Sequence, residues 1–288
     1  MLLAESRLSL VDRIPPHGYF LVSAVFHYLG PAFAVLLFAH IAPLGVAWLR
    51  IASAALVFAL WRRPWRYFGS LSAADRWAVI ALAVVLAAMN CCFYEAIARL
   101  PLGTVGAIEF LGPIALAAAG LRTPRNLAAL IVAAAGVYIL TDVRIAGALD
   151  GYLFAFANCA LFVLYIVLGH RIAGDGGAAG IDRLAAAMLI AAFISLPIGI
   201  ADARPAFTDV TLLGAAIGVG ISSSVIPYIC DQLAMARLPR ATFALMLSLL
   251  PATASLIGVA VLHQVPSWIE VAGILLVVAG VALHRTDS

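Results

Sequence analysis

Apolar residues run along this chain in blocks of roughly 20, interrupted by short stretches of Gly, Pro, Arg and Asp. Cut at those interruptions, the pattern predicts spans over 18–38, 43–61, 77–98, 102–120, 126–142, 150–170, 183–203, 211–233, 240–262 and 266–284. The blocks are too long for barrel strands, and lipid offers no partner for free backbone N–H and C=O groups, so each is predicted as a helix. The expected fold class is an all-α integral membrane protein of ten transmembrane helices.

The blocks also repeat. Ala98-Arg99-Leu100-Pro101 returns as Ala236-Arg237-Leu238-Pro239. Each copy leads into an apolar helix with proline at the same offset (Pro113, Pro251), then into a helix carrying Ala-Gly-Val (Ala135 to Val137, Ala279 to Val281). Two five-helix units are therefore expected, 18–142 (spans 1–5) and 150–284 (spans 6–10). Five is odd, so the second unit would insert upside down relative to the first. Such an inverted pair can exchange conformations and open a central cavity to one side and then the other.

Composition supports a life in lipid. Of the 288 residues, 65% are hydrophobic and 11% are charged, where a soluble domain needs about a quarter charged to cover its surface. Glu5, Arg7, Asp12 and Arg13 interrupt the N-terminal stretch, so no cleaved leader is expected. All 17 basic residues are arginine. Placing both termini in the cytoplasm gathers Arg7, Arg13, Arg62, Arg63, Arg66, Arg76, Arg122, Arg125, Arg171, Arg183, Arg237, Arg240 and Arg285 on that side. Only Arg99, Arg144 and Arg204 then remain outside. A net charge of +3 argues for no nucleic-acid partner. Cys91, Cys92, Cys159 and Cys230 fall inside spans without zinc-ligand spacing, so neither metal nor cofactor is expected.

Ionisable groups within spans are costly unless paired or wet, which makes each a candidate for function. Glu109 lies mid-span, one turn before Gly112-Pro113, which is read as a helix break that frees backbone carbonyls. A carboxyl at that depth can bind and release a proton near neutral pH. Its bland alternative is an ion pair with Arg50, whose planar fork also suits a substrate carboxylate. His27 and Tyr28 precede a second expected break, Gly30-Pro31, and His27 is a second proton-carrier candidate.

Asn90 and Tyr94 share a helix face, as do Asn158 and Tyr165, while Ser224, Tyr228 and Asp231 follow i, i+4, i+7 beside Pro227. With Ser248 and Thr253 from span 9, these outline a small, mildly polar, aromatic-walled cavity that suits a zwitterion better than a sugar or a phosphate. Glu95 is expected to pair with Arg99 and to serve gating or structure, with Asp231 as its counterpart near the inner end. Pro113 and Pro251 are assigned to gating or structure as well. Gly199 and the Gly214-x-x-x-Gly218 pair are expected to mark close helix packing.

Met89-Asn90, Phe93-Tyr94, Pro101-Leu102-Gly103, Glu109-Phe110 and Gly112-Pro113 occur in that order, followed by Pro227-Tyr228, Leu238-Pro239, Thr242-Phe243, Met246 and Pro251-Ala252. With these, the chain from Tyr19 to His284 resembles the drug/metabolite transporter superfamily, its EamA-type permeases and, among them, the bacterial threonine/homoserine exporters. The resemblance implies two inverted five-helix repeats in a bacterial inner membrane, a central cavity, and efflux of small amino acids driven by protons. It matches Glu109 to the family's acidic fourth-span position and Asn90 to its Met-Asn pair. Leu250 departs from the acid usual before the ninth-span proline, and His263-Gln264 from the usual Gly-Glu.

Other cargoes within the class are aromatic amino acids, nucleosides or drugs, and a homodimer stays open. An intramembrane protease is the reading from another class. Ser222-Ser223-Ser224 and His263 lack a Gly-x-Ser-x-Gly setting, however, and Gly174-Asp175 lies in a loop. No Walker loop or HExxH is present, so no enzyme is expected.

Overall fold

The computed structural model describes residues 15–120, 123–142, 149–173, 177–239, 243, 246 and 250–283. Among them every regular element is helical: α1 (Pro16–Leu37), α2 (Pro43–Arg62), α3 (Ala73–Ile97), α4 (Leu102–Gly120), α5 (Pro124–Asp142), α6 (Leu149–Ala173), α7 (Gly177–Gly199), α8 (Val210–Met235), α9 (Leu250–Leu262) and α10 (Trp268–Leu283). Six of them (α1, α2, α3, α6, α7 and α8) are long and apolar enough to cross a membrane, and the other four contribute apolar helical stretches of 10–17 residues among the described residues. Leu21, Leu56, Leu60, Leu127, Ile131, Leu153, Phe193 and Leu256 stand exposed on the outside of the bundle. In water these would form an untenable apolar surface; in lipid they are the solvent-matched face.

Local chemistry sets the ends. Proline opens α1, α2 and α5, where its missing N–H is one the helix would leave unpaired anyway. Ser72 caps α3 by accepting the Asp75 N–H at 3.1 Å, so this helix starts ahead of the expected residue 77 and includes a polar, exposed first turn. Asp209 caps α8; the N–H groups of Thr211 and Leu212 hold its carboxyl below the ordinary range. Helix α7 ends at Gly199, short of the expected 203, and a short helix, Arg204–Thr208, follows it.

The core is built by contacts of α3 with α6 and α7, α2 with α7, α1 with α8, α4 with α9, and α5 with α10. The repeated Ala-Gly-Val supplies the last of these. A Cβ on Gly280 would lie 2.7 Å from the Ala129 carbonyl of α5, and one on Gly136 would lie 2.5 Å from the Gly273 carbonyl of α10. Gly199 is likewise pressed against Leu44 and Trp48. Gly214 and Gly218 are a correction: nothing lies within 4 Å of a Cβ at either, so that pair faces open space.

Helix α6, 25 residues and therefore roughly 37 Å long, separates the two corners of the sequence repeat. Gly151 at its start abuts Arg99 and Leu100, while Gly169 near its end abuts Met235. Arg99 and Arg237 thus sit at opposite ends of the bundle. The Arg237 end also holds the Arg62–Asp182 pair (2.5 Å), the Arg183–Asp75 pair (3.9 Å) and Arg125, which donates to the Leu283 carbonyl.

Candidate functional site

Glu109 is the deepest charge-capable group of α4, 2% exposed. Both of its oxygens are engaged. Tyr28 of α1 donates to Oε2 at 2.8 Å, and the Asn158 amide of α6 donates to Oε1 at 2.8 Å. His27 Nε2 stands 3.9 Å from Oε2 and packs edge-on against the Tyr28 ring. The expected alternative, an ion pair of Glu109 with Arg50, is not what forms. Arg50 Nε donates to Ser224 Oγ at 2.7 Å and an Nη donates to the Ser223 carbonyl at 2.6 Å. Its guanidinium also lies 5.4 Å from the Tyr94 ring centre and 6.0 Å from that of Tyr228. Serine and aromatic faces, rather than a carboxylate, hold this cation.

The proline readings need the same kind of correction. Helices α1 and α4 run through Pro31 and Pro113 without a break. The glycines beside those prolines serve close approach instead. A Cβ on Gly112 would lie 2.9 Å from the Cys159 carbonyl of α6, and one on Gly30 would run into Ser223 of α8. Proline nonetheless has no N–H to return to the carbonyl four residues earlier, which is that of His27 for Pro31 and of Glu109 for Pro113. Helix α8 does loosen beside Pro227: Ile221–Val225 form a π turn, and it is the Ser223 carbonyl within it that accepts Arg50.

Five helices besides α4 close on Glu109. His27, Arg50, Asn90, Asn158 and Tyr228, with Met89 and Phe93, enclose a cavity of about 10 Å³, room for roughly one water. The Oδ1 atoms of Asn90 and Asn158 are buried without a hydrogen-bond partner among the described residues. A larger cavity of about 530 Å³ opens at the Arg99 end, walled by Arg99, Thr104, Ser255, Gln264 and Glu270. Tyr28 packs against Gly106 of α4. Its hydroxyl would lie 3.0 Å from a Cβ on Gly106, with Ala254 of α9 on the other side. Gln264 pins this corner by accepting the Leu102 N–H at 3.1 Å.

A second buried carboxyl is Asp231 of α8, 3% exposed. Ser23 donates to Oδ1 at 2.5 Å and Tyr165 to Oδ2 at 2.8 Å. Its surroundings differ from those of Glu95, which pairs with the exposed Arg99, whereas no such cation pairs with Asp231 among the described residues. The repeat register explains this: Arg99 corresponds to Arg237, which places Leu233 opposite Glu95. Arg237 itself donates to the Leu233 carbonyl and lies over the Tyr19 ring.

Pro251 is buried in α9, and its carbonyl accepts the Ser255 hydroxyl; Ser248 lies outside the described residues. The pattern of polar residues missed Ser23, although it stands one turn before His27 on the same buried face of α1. It missed Ser223 too, whose contribution is a backbone atom.

A helical bundle with a lipid-facing exterior, closed around buried carboxyls and a small polar chamber, is built as a membrane transporter. Comparison with known proteins agrees. The profile of the EamA-like transporter family matches residues 149–286. The chain is 30% identical over 253 residues to the threonine/homoserine exporter RhtA of Salmonella typhimurium (strain SL1344), covering 87% of this chain and 84% of that protein. It is 32% identical over 239 residues to the threonine/homoserine exporter RhtA of Escherichia coli (strain K12), covering 82% and 79%. A crystal structure with 18% sequence identity shares the fold, with a TM-score of 0.64 over 92% of this chain and 95% of that one. The chain belongs to the EamA-like transporter family. It is a transporter and not an enzyme.

Proposed function

We propose that this protein exports small zwitterionic amino acids, threonine and homoserine among them, in exchange for protons. It does so by alternating access between two inverted five-helix repeats, 18–142 and 150–284. The observation that carries the reading is Glu109, buried, hydrogen-bonded on both oxygens and facing a chamber that also holds Arg50 and the unused Asn90 and Asn158 carbonyl oxygens. A zwitterion needs an anchor for each charge. Arg50 offers the fork for a carboxylate, and Glu109 with the two amide oxygens offers acceptors for an ammonium.

Antiport then needs no further machinery. Proton and ammonium compete for one carboxylate, so loading the proton expels the cargo. His27, whose Nε2 stands 3.9 Å from the carboxylate, is the second proton-carrier candidate. The chamber is too small for an amino acid as it stands, so binding requires α1, α4, α6 and α8 to part.

Inverted topology is supported by the placement of Arg99 and Arg237 at opposite ends of α6. A cytoplasmic location for both termini is supported by the arginine asymmetry between the two ends. The similarity to threonine/homoserine exporters supports the cargo. Purified protein in liposomes with an imposed pH gradient is expected to concentrate threonine or homoserine, and overproducing cells to resist toxic levels of either. Gradient-driven flux of only aromatic amino acids, nucleosides or drugs would replace the cargo.

A further inference from the structure

We propose that Asp231 is a second proton-binding site, linked to Glu109 through helices α1 and α6. The two carboxyls are held by one reciprocal arrangement. Helix α1 gives Tyr28 to Glu109 and Ser23 to Asp231; helix α6 gives Asn158 to Glu109 and Tyr165 to Asp231. Each carboxyl thus takes a tyrosine from one helix and a shorter donor from the other. Ser23 and Tyr28 are about 7.5 Å apart along their helix axis, and Asn158 and Tyr165 about 10 Å apart along theirs. Any sliding of α1 or α6 acts on both sites at once.

The surroundings of Asp231 contain no compensating cation among the described residues. Helix α8 packs against α1, α6 and α7, and its π turn packs against α2. From α1 come Ser23 and, a turn further on, His27; from α6 comes Tyr165; on its own helix Tyr228 and Cys230 are within electrostatic reach. The charged residues of α7 are engaged elsewhere, Asp182 with Arg62 and Arg183 with the Ile172 carbonyl and Asp75. Arg50 of α2 is held by Ser224 and Ser223.

A buried carboxylate without a counter-charge is expensive and is relieved by taking a proton. Its two partners suit that exchange. A serine or tyrosine hydroxyl donates to a carboxylate and, rotated, accepts from a carboxylic acid, so the cage survives either state. A structural carboxylate would be better served by an arginine, and among the described residues this one has none.

The chemistry of this site stands on its own geometry; only its use in coupling rests on the exporter reading. The test is infrared difference spectroscopy of the full-length protein in lipid, following the carboxylic-acid carbonyl stretch through a pH titration. Two buried carboxyl bands are expected. Asp231→Asn should remove one and Glu109→Gln the other. The milder Ser23→Ala and Tyr165→Phe should each move the midpoint of the Asp231 band by about one pH unit, the worth of one hydrogen bond to a charged group, and displace the Glu109 band as well. A spectrum unchanged by Asp231→Asn, or midpoints unmoved in both milder variants, would overturn the proposal while leaving Glu109 and transport untouched. Two intact bands in a protein that moves no amino acid would instead overturn the exporter reading and keep the site.

Discussion

The hydroxyl of Tyr28 reaches Glu109 Oε2 at 2.8 Å across the α1–α4 contact, beside the space that Gly106 leaves open in front of the phenol. One side chain thereby holds the buried carboxyl and fills the space against the α4 backbone. Tyr28→Phe keeps the ring and removes the donor. A lost hydrogen bond to a charged group is worth about 1.5–3 kcal/mol, so proton-driven uptake into liposomes should fall on the order of tenfold or more, with an altered pH profile. A reduced rate with the wild-type pH profile would make Tyr28 a packing residue only.

Arg50 is positioned by a serine hydroxyl, a backbone carbonyl and two aromatic faces at once. Lysine keeps the charge but has neither the planar fork nor the delocalised face. Arg50→Lys should weaken threonine binding at least tenfold while the protein still inserts and purifies as a monodisperse species. Wild-type affinity in this variant, measured by calorimetry or counterflow, would remove Arg50 from the binding site.

Glycine substitutions separate close packing from open surface. Gly112→Ala sets a methyl 2.9 Å from the Cys159 carbonyl and should destabilise the protein by about 1–3 kcal/mol, read as a lower thermal midpoint in detergent. Gly214→Ala and Gly218→Ala, with nothing within 4 Å, should be neutral or slightly stabilising. Equal behaviour of the three would contradict the helix contacts described.

These glycines also show what the sequence carries and what it withholds. Hydropathy locates the helices because lipid demands long apolar runs, and the starts of α2, α4 and α8 fall within a residue of expectation. Glu109, Asn158 and Tyr28 are legible as a group because polar side chains are scarce in such helices. The meaning of Gly112-Pro113 is not legible: Gly-Pro reads locally as a break, and only the approach of α6 shows that the glycine serves contact. Gly214-x-x-x-Gly218 fails in the opposite way, since the spacing is present and no neighbour comes among the described residues. Asp231 is visible as a buried acid, but its cage draws on Ser23, 208 positions away in the chain. No local pattern announces a partner at that separation.

The placement of Arg99 and Arg237 makes a topological prediction. Single cysteines at these two positions, in a background with Cys91, Cys92, Cys159 and Cys230 replaced, should react with a membrane-impermeant reagent from opposite sides of the bilayer. Labelling of both from one side would contradict the inverted arrangement and, with it, the exchange of conformations between the halves.

The most direct test is the simultaneous recording of proton and threonine fluxes in liposomes containing either the wild-type protein or Glu109→Gln. The wild type should move protons against threonine in a fixed ratio. The variant should still insert, and should lose both the proton flux and the pH dependence of threonine movement. Threonine transport that keeps its proton flux and pH dependence without the Glu109 carboxyl would contradict the account.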